Sequence, residues 1–495
     1  MELEGKQGKA VKQAQPVRFA TRDWAALAIT LALAALAVFG FDDARWMPGA
    51  GMTALVFAGV GLALFTLRGQ MQHSRAARFL LGCGLALALT YTVYDNVVMR
   101  LLNLVPMAAA LLLGLYSLAG SGLPEGPLSL SRAAGRAVAD SLRHVDKPFR
   151  ALSGLRREKP GQLKGLGLGL LIAVPLLGIA LALLASADEV FGAGLSGLLR
   201  GLRFPAATDA VTDTLLSLAL GLCLFSLLWG IRRPQPAAAP RERAGLPALS
   251  AGVVLGTLAA VYAAFVWVQL SYLFGGATSA AMAGGWAQYA RRGFFELAAI
   301  GLLNISVLAL TLPRGSGHPV LRALGGALVL LTALILVSAA WRMGLYIQAF
   351  GLSLLRLLTL WGMAMILAAL IGFAVRLIRP GTALFRPLAA TALAAWVALS
   401  ALGPAGLVAR WNAAAYAQGR LAAIDARYLG RLGADALPVL TRLSQDGLAE
   451  ADLAIQRLQS ERDLPWWAWN LAQRHWAKAP DVSRLPQPTP YGFMD

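Results

Sequence analysis

Charged and polar side chains stand at the ends of several long apolar runs in this 495-residue chain. Charge at the edge of a membrane-spanning segment is costly, so each such residue calls for a partner or a function. Arg292 and Glu296 are four residues apart and would share a helix face, as would Arg342 and Tyr346. The candidate ligand-binding residues are Arg291, Arg292, Glu296, Arg342, Tyr346, Arg356, Asp95, Asp188 and Glu189.

Two interpretations of these residues stay open. If the segment ends converge, their surplus positive charge would suit an anionic lipid or solute. Alternatively, the arginines extend to the lipid headgroups and the acidic residues pair with them. Glu296 is the hardest to explain in the second way, because it lies one turn inside the predicted hydrocarbon boundary.

The composition indicates the elements that must position these residues. Hydrophobic residues make up 58% of the chain and charged residues 14%, and the mean hydropathy is +0.62. These values exclude a disordered chain and an ordinary soluble enzyme, and they predict an all-α, polytopic transmembrane helical bundle. The formal net charge of +19 falls mainly in short loops, so anionic lipid headgroups rather than nucleic acid are the expected partner.

Apolar runs predict about eleven spans within a transmembrane domain at residues 23–403, after a basic tail at residues 1–22. The fifth, eighth and eleventh of these spans are predicted at residues 165–186, 293–312 and 388–403. Of the 44 Lys and Arg residues, 26 lie on the side of the N-terminus, eight lie in the opposite loops and ten follow residue 403. This bias predicts a cytoplasmic N-terminus and an extracytoplasmic C-terminus.

The loop at residues 120–164 holds nine basic residues and is predicted to be cytoplasmic. Pro148 is expected to interrupt its helix. A basic amphipathic helix lies on an anionic leaflet, so we expect membrane headgroups as the partner here, with protein docking as the alternative. Apolar residues recur in the loop at helical spacing: Val138, Leu142, Val145, Phe149 and Leu152.

Residues 404–495 are more polar and predict a small extracytoplasmic helical region. Trp466, Trp469 and Trp476 fall roughly on one face of a predicted helix. Tryptophans favour the membrane interface, and packing within a small helical domain is an equal alternative. An envelope protein is a candidate partner of this region.

The sequence shows none of the nucleotide-binding, metalloprotease, hydrolase or kinase signatures, so we expect binding more than catalysis and no cofactor. The four histidines are scattered and form no metal-binding motif, so no metal site is expected. Cys83 and Cys223 lie in apolar runs and are predicted to pack in the core without a disulfide.

Several strings resemble the uncharacterised bacterial membrane proteins grouped as DUF4173, near DUF4153. The resemblance covers roughly residues 80–445 and implies a helical fold in a bacterial inner membrane, without implying an activity. Phe350 and Ser353 replace the Tyr and Thr of a family YGLTxxR pattern. The strings that carry the resemblance lie at residues 186–191, 268–276, 289–297, 342–346, 350–356, 410–412 and 425–429.

Three functions are compatible with these features. The first is a membrane protein that binds, and in one version translocates, an anionic lipid or solute at its outer face. The second is a glycosyl- or phosphotransferase that uses a lipid-linked donor, with Asp42 and Asp43 in the first outer loop. The third is an envelope sensor or assembly partner that acts through its C-terminal region.

Overall fold

A computed structural model describes residues 19–40, 48–72, 74–123, 129–155, 207–233, 247–274, 294–311, 318–379, 381–459 and 464–480. These residues are predominantly α-helical and contain no β-strand, which confirms the predicted fold class. The α-helices are α1 (Thr21–Phe39), α2 (Ala50–Leu67), α3 (Arg75–Val93), α4 (Val97–Leu118), α5 (Ser129–Arg143), α6 (Asp146–Leu155), α7 (Ala207–Ile231), α8 (Ala248–Phe274), α9 (Phe294–Thr311), α10 (Pro319–Phe350), α11 (Leu354–Ile378), α12 (Phe385–Ala401), α13 (Pro404–Ala417), α14 (Ala426–Gly430), α15 (Leu437–Gln445) and α16 (Ala449–Leu458). Short 3₁₀ helices cover Ala434–Ala436 and Leu471–Lys478.

Eight of the described helices are long and apolar enough to cross a membrane: α1, α2, α3, α4, α7, α8, α10 and α11. The bent pair of α12 and α13 would make a ninth crossing, and the apolar part of α9 is shorter, at Ala299–Thr311. The fifth predicted span, at residues 165–186, lies outside the described residues. The other ten predicted spans correspond to the eight long helices, α9 and α12.

The length of α10 sets the membrane level at one end of the bundle. It has 32 residues, whereas about 20 suffice to cross the hydrocarbon. Trp341 is 66% exposed and lies about 33 Å along the helix from Pro319, at about 1.5 Å per residue. An exposed Trp beside Arg342 at this distance is typical of the lipid interface. Tyr346 and Phe350 therefore project beyond the hydrocarbon.

The chain bends by 60° between α12 and α13. Gly403 adopts a φ of +64°, and Pro404 supplies the first residue of α13, a position that its fixed φ favours. A Cβ atom on Gly403 would lie 2.5 Å from Cε1 of Tyr94. The close approach to α3 and the positive φ both require glycine here.

The described residues of 404–480 form a C-terminal layer against one end of the bundle, called here the tail end. The Gly49 N–H donates to the Trp467 carbonyl at 2.9 Å, beside the start of α2. The Asn96 amide donates to the Leu432 carbonyl at 3.2 Å, at the turn between α3 and α4. Successive connections on this side of the bundle therefore meet the same layer.

The predicted helix carrying three tryptophans is broken in the structure. The Pro465 carbonyl accepts hydrogen bonds from the N–H groups of Ala468 and Trp469, and this makes a turn. Trp476 lies in the 3₁₀ helix that follows. Trp466 and Trp469 are 62% and 42% exposed. The shared helical face was therefore a wrong prediction, because the chain turns at Pro465.

The opposite end of the bundle is called here the basic end. The Gln72 N–H donates to the Leu118 carbonyl at 2.8 Å, which joins the α2–α3 loop to the end of α4. Asp23 at the start of α1 pairs with Arg232 after α7, at 2.5 Å. Both connections lie on the side that the sequence marks by its excess of Lys and Arg.

Several polar residues between the helices are hydrogen bonded to one another. The Asn304 amide donates to Thr332 Oγ1 at 2.9 Å, and the Tyr262 hydroxyl donates to Asn304 Oδ1 at 3.2 Å, which links α8, α9 and α10. Asn103 Oδ1 accepts from the Trp396 indole at 2.7 Å, which links α4 to α12. These groups are satisfied inside the bundle and hold its helices in register.

Candidate functional site

The turn between α10 and α11 brings two of the predicted ligand-binding residues together. Nη1 of Arg356 donates to the carbonyls of Phe350, at 3.0 Å, and of Gly351. Its guanidinium carbon lies 4.1 Å from the centroid of the Tyr346 ring, a cation–π distance. Arg356 thus caps the end of α10 and stacks on its last turn. Tyr346, Phe350, Gly351 and Arg356 are called here the turn cluster.

The backbone of this turn is fixed by glycine and by an asparagine of α13. Gly351 ends α10 with φ +79° and ψ 173°, a region that residues other than glycine rarely occupy. Asn412 holds the next residue from both sides: its Oδ1 accepts from Leu352 N at 2.9 Å, and its Nδ2 donates to Leu352 O at 2.7 Å. Because Asn412 is buried, these bonds replace those that water would make.

The start of α11 is held in a similar way. Ser353 is the N-cap, and its hydroxyl accepts from Arg356 N at 3.3 Å. The Tyr428 hydroxyl accepts from Leu354 N at 2.7 Å. Burial raises the pKa of the Tyr428 phenol above its ordinary value. The strings at residues 350–356, 410–412 and 425–429, separate in sequence, therefore meet at this turn.

Asp95 lies in a second cluster at the tail end, where the α3–α4 turn meets the 3₁₀ helix at Ala434–Ala436. Asp95 Oδ2 accepts from Ala434 N at 3.0 Å. In return, Asp435 Oδ2 accepts from the backbone N–H groups of Asp95, at 3.0 Å, and Asn96, at 3.1 Å. We call this reciprocal pair of carboxylates the clasp. It joins the C-terminal layer to the bundle.

One buried arginine accompanies the two carboxylates of the clasp. Nη2 of Arg100 lies 3.6 Å from Asp95 Oδ1 and donates to the Tyr94 carbonyl at 2.8 Å. Asn470 adds a hydrogen bond of 2.7 Å to Asp95 Oδ1. Arg100 is 4% exposed and Asp95 7%. These charged groups have their partners within the protein, so the clasp has a structural role.

The clasp shifts one titration into the neutral range. Burial, and then the neighbouring Asp95 carboxylate, raise the pKa of Asp435 from 3.8 to about 7. The two backbone N–H donors and Arg100 act in the opposite direction. The net rise means that Asp435 gains a proton near neutral pH.

The remaining predicted residues are distributed as follows. Arg342 lies one turn before Tyr346 on α10 and is half-buried. Glu296 lies in the first turn of α9, and its side chain is outside the described part. Residues 188, 189, 291 and 292 (Asp188, Glu189, Arg291 and Arg292) also lie outside the described residues, as does the string at 289–293.

Four residues that hold these two clusters escaped the sequence analysis as site residues: Arg100, Asn412, Asp435 and Asn470. Asp435 lies in a Gly-Ala-Asp-Ala-Leu-Pro helix junction, where a carboxylate is easily taken for a local cap. The partners of Asp435 and Asn470 are more than 300 residues away in sequence. No local spacing signals such contacts.

The described residues contain no group of three or more His, Cys, Asp or Glu side chains that could hold a metal ion. Fold and site together define an all-helical, multi-pass membrane protein with a C-terminal helical layer packed against one end of its bundle.

The chain belongs to the DUF4153 family. The matching family model is described as "Domain of unknown function (DUF4153)" and covers residues 81–443, from α3 into α15. This confirms the resemblance to DUF4153-like proteins. The match contains the turn cluster and both carboxylates of the clasp. Searches of curated proteins and of solved structures returned no significant match.

Proposed function

We propose that this protein binds an anionic phosphate-bearing headgroup or solute at the tail end of its bundle, through Arg356. We place it in the bacterial inner membrane with a cytoplasmic N-terminus and an extracytoplasmic C-terminus. The excess of Lys and Arg on the side of the basic end supports this orientation. The tail end is then the outer face.

The observation that carries the proposal is the way in which Arg356 is held. A guanidinium has five N–H donors in a planar fork. Only Nη1 is used in the turn cluster, where it binds the carbonyls of Phe350 and Gly351. No carboxylate pairs with Arg356 in the described part of the chain, whereas Arg100, Arg136, Arg150 and Arg232 each lie in an ion pair there.

The Nε and Nη2 edge of Arg356 therefore keeps its donors and its positive charge for another group. Phosphate and carboxylate fit this edge by paired hydrogen bonds, which are roughly twice as strong as neutral ones. The ring of Tyr346 fixes the plane of the guanidinium and reduces the entropy lost on binding.

The surroundings favour a lipid headgroup as the source of the phosphate. Trp341 and Leu355 are 66% and 60% exposed and lie in the helices that carry the site. From the length of α10, Trp341 lies at the membrane interface, and Arg342 adds a second cation there. A lipid could then place its chains beside Leu355 and its phosphate at Arg356.

The test compares four proteins purified in native lipid discs: wild type, Arg356→Lys, Arg356→Gln and Arg431→Gln. Arg431 is an exposed arginine of the C-terminal layer, so its variant controls for the loss of a positive charge at the tail end. Retained lipids and solutes are identified by mass spectrometry. We expect Arg356→Gln to lose about tenfold or more of one anionic species, equivalent to about 1.4 kcal/mol. Arg356→Lys keeps the charge without the fork and should lose less.

Two further arms separate the possible sources of the anion. Delipidated protein is titrated with phosphatidylglycerol vesicles in one arm and with inorganic phosphate in the other. Binding of the vesicles alone indicates a lipid site, and saturable binding of phosphate indicates a solute site. An identical retained set in wild type and Arg356→Gln, or an equal loss in Arg431→Gln, would overturn the proposal.

A further inference from the structure

A separate surface lies at the basic end, on the helix that follows α4. α5 packs against the last turns of α4 and α7 through Asp140. The Tyr116 hydroxyl donates to Asp140 Oδ2 at 2.7 Å, and the Ser226 hydroxyl donates to the Asp140 carbonyl at 2.6 Å. A Cβ atom on Gly230 would lie 2.6 Å from Asp140 Cβ. The contact is close, so α5 has a fixed rotation about its axis.

These contacts also set the depth of α5. Tyr116 lies two residues before the end of α4, and Ser226 lies five residues before the end of α7. At about 1.5 Å per residue these positions are roughly 3 and 8 Å inside the helix ends. α5 therefore packs level with the last turns of α4 and α7, where the ends of membrane-spanning helices are expected to meet the headgroups.

The fixed rotation divides α5 into three faces, since successive side chains are separated by about 100°. Ala137 and Asp140 face the bundle and are buried. Val138 and Leu142 lie roughly opposite, and they are 61% and 63% exposed. The third face, between these two, is basic and carries Arg132 and Arg143. Arg136 instead turns toward the bundle, where its Nε lies 3.6 Å from Asp140 Oδ2.

The next helix, α6, also carries an exposed apolar side chain. Phe149 is 57% exposed there. α6 begins at Asp146 and accommodates Pro148 in its first turn, where an N–H would have no helical partner. The expected interruption of the helix therefore lies at His144 and Val145, shortly before Pro148, and not at Pro148 itself.

We infer that Val138, Leu142 and Phe149 form a lipid-contacting surface that inserts into the anionic leaflet at the basic end, with Arg132 and Arg143 directed to the headgroups. The three-face arrangement matches the surroundings of a helix beside a bundle: protein on one side, acyl chains opposite, and phosphates along the edge. Basic residues at this edge attract anionic lipid, and each contributes favourably to binding when it lies within a Debye length of the membrane surface. This surface is independent of the Arg356 site.

The inference is tested on the full chain in lipid discs, with Cys83→Ala and Cys223→Ala removing the native thiols. Single cysteines at Val138, Leu142 and Arg143 carry a nitroxide spin label. Arg143 is exposed on the basic face and provides the matched control. We expect labels at Val138 and Leu142 to collide mainly with dissolved oxygen, which concentrates in lipid. The label at Arg143 should collide mainly with a water-soluble nickel chelate.

Lipid composition supplies the second measurement. Discs made from a mixture of phosphatidylcholine and phosphatidylglycerol are analysed for the lipids that stay with the protein, and phosphatidylglycerol should exceed its share of the mixture. The excess should fall when Arg132→Gln and Arg143→Gln are combined. A Val138 label as open to nickel as the label at Arg143, or shielded from both reagents by a protein partner, would overturn the inference. An excess that is unchanged in the double variant would do the same.

If the protein without native cysteines does not fold, a photoreactive benzoylphenylalanine at Val138 replaces the label in the otherwise unchanged chain. Crosslinking to lipid supports the inference, and crosslinking to protein contradicts it.

Discussion

Two arginines at the tail end each lie close to the turn between two long helices, and their surroundings differ sharply. Arg100 is 4% exposed and lies beside two carboxylates, with two backbone carbonyls as further acceptors. Arg356 is half-buried, and its described partners are backbone carbonyls and an aromatic ring. One guanidinium is neutralised within the fold, and the other keeps its charge.

The difference separates an arginine that is paired within the fold from one whose charge has no carboxylate partner among the described residues. Burying an ion is costly unless it is paired, so Arg100 and the clasp depend on each other. Arg356 avoids that cost by staying partly in water, and its hydrogen bonds to the end of α10 orient it at the membrane interface. Of the two interpretations offered by the sequence, ion pairing applies to Asp95, which pairs with Arg100, and ligand binding is the function that we propose for Arg356.

The largest expected effect comes from Arg100→Met. This change leaves Asp95 and Asp435 side by side without their cation, and breaking a buried pair typically costs about 3–5 kcal/mol. We expect a large drop in the thermal midpoint of the purified protein in detergent. Arg356→Met removes charge-assisted capping of a partly buried turn and should cost less, about 1.5–3 kcal/mol. Equal losses in the two variants would show that the clusters do not differ.

A smaller effect is expected from pH. Because the pKa of Asp435 rises from 3.8 in its ordinary state to about 7 in the fold, the folded protein binds the proton more tightly. The associated stability is complete below about pH 3.8 and is lost as the pH rises through about 7. Each pKa unit corresponds to about 1.4 kcal/mol, and partial contact with solvent reduces the total to an expected value on the order of 2 kcal/mol.

The measurement is the thermal midpoint between pH 5 and pH 8, in wild type and in Asp435→Asn. An amide can still accept both N–H groups of the α3–α4 turn, so the variant should fold with a flatter profile. Asp446→Asn, at an exposed site of the same layer, should keep the slope of wild type. A slope that survives in Asp435→Asn would assign the titration to another group.

The sequence predicts the helices well because a membrane span needs about 20 apolar residues and leaves a strong local signal. It also names Arg356 and Tyr346 as candidates, since both stand at the end of a span, and the structure places the two side chains in contact. It does not reveal that Asp95 faces Asp435, because that contact joins positions 340 residues apart. Nor does it distinguish the two arginines, whose difference depends on partners that only folding brings near.

The last comparison concerns the backbone that positions Arg356. Gly351→Ala places a methyl group against Asn412 Oδ1 and forces a residue with a Cβ to hold φ +79°. Gly419→Ala is the matched control, because Gly419 also has a positive φ, of +67°, but has no atom within 4 Å of the new Cβ. Strain of this backbone kind costs about 1–3 kcal/mol, so both variants should lower the thermal midpoint slightly. Only Gly351→Ala should also weaken retention of the anionic species, because it displaces the carbonyls to which Arg356 binds. If Gly419→Ala weakened retention equally, the turn would not be what positions Arg356.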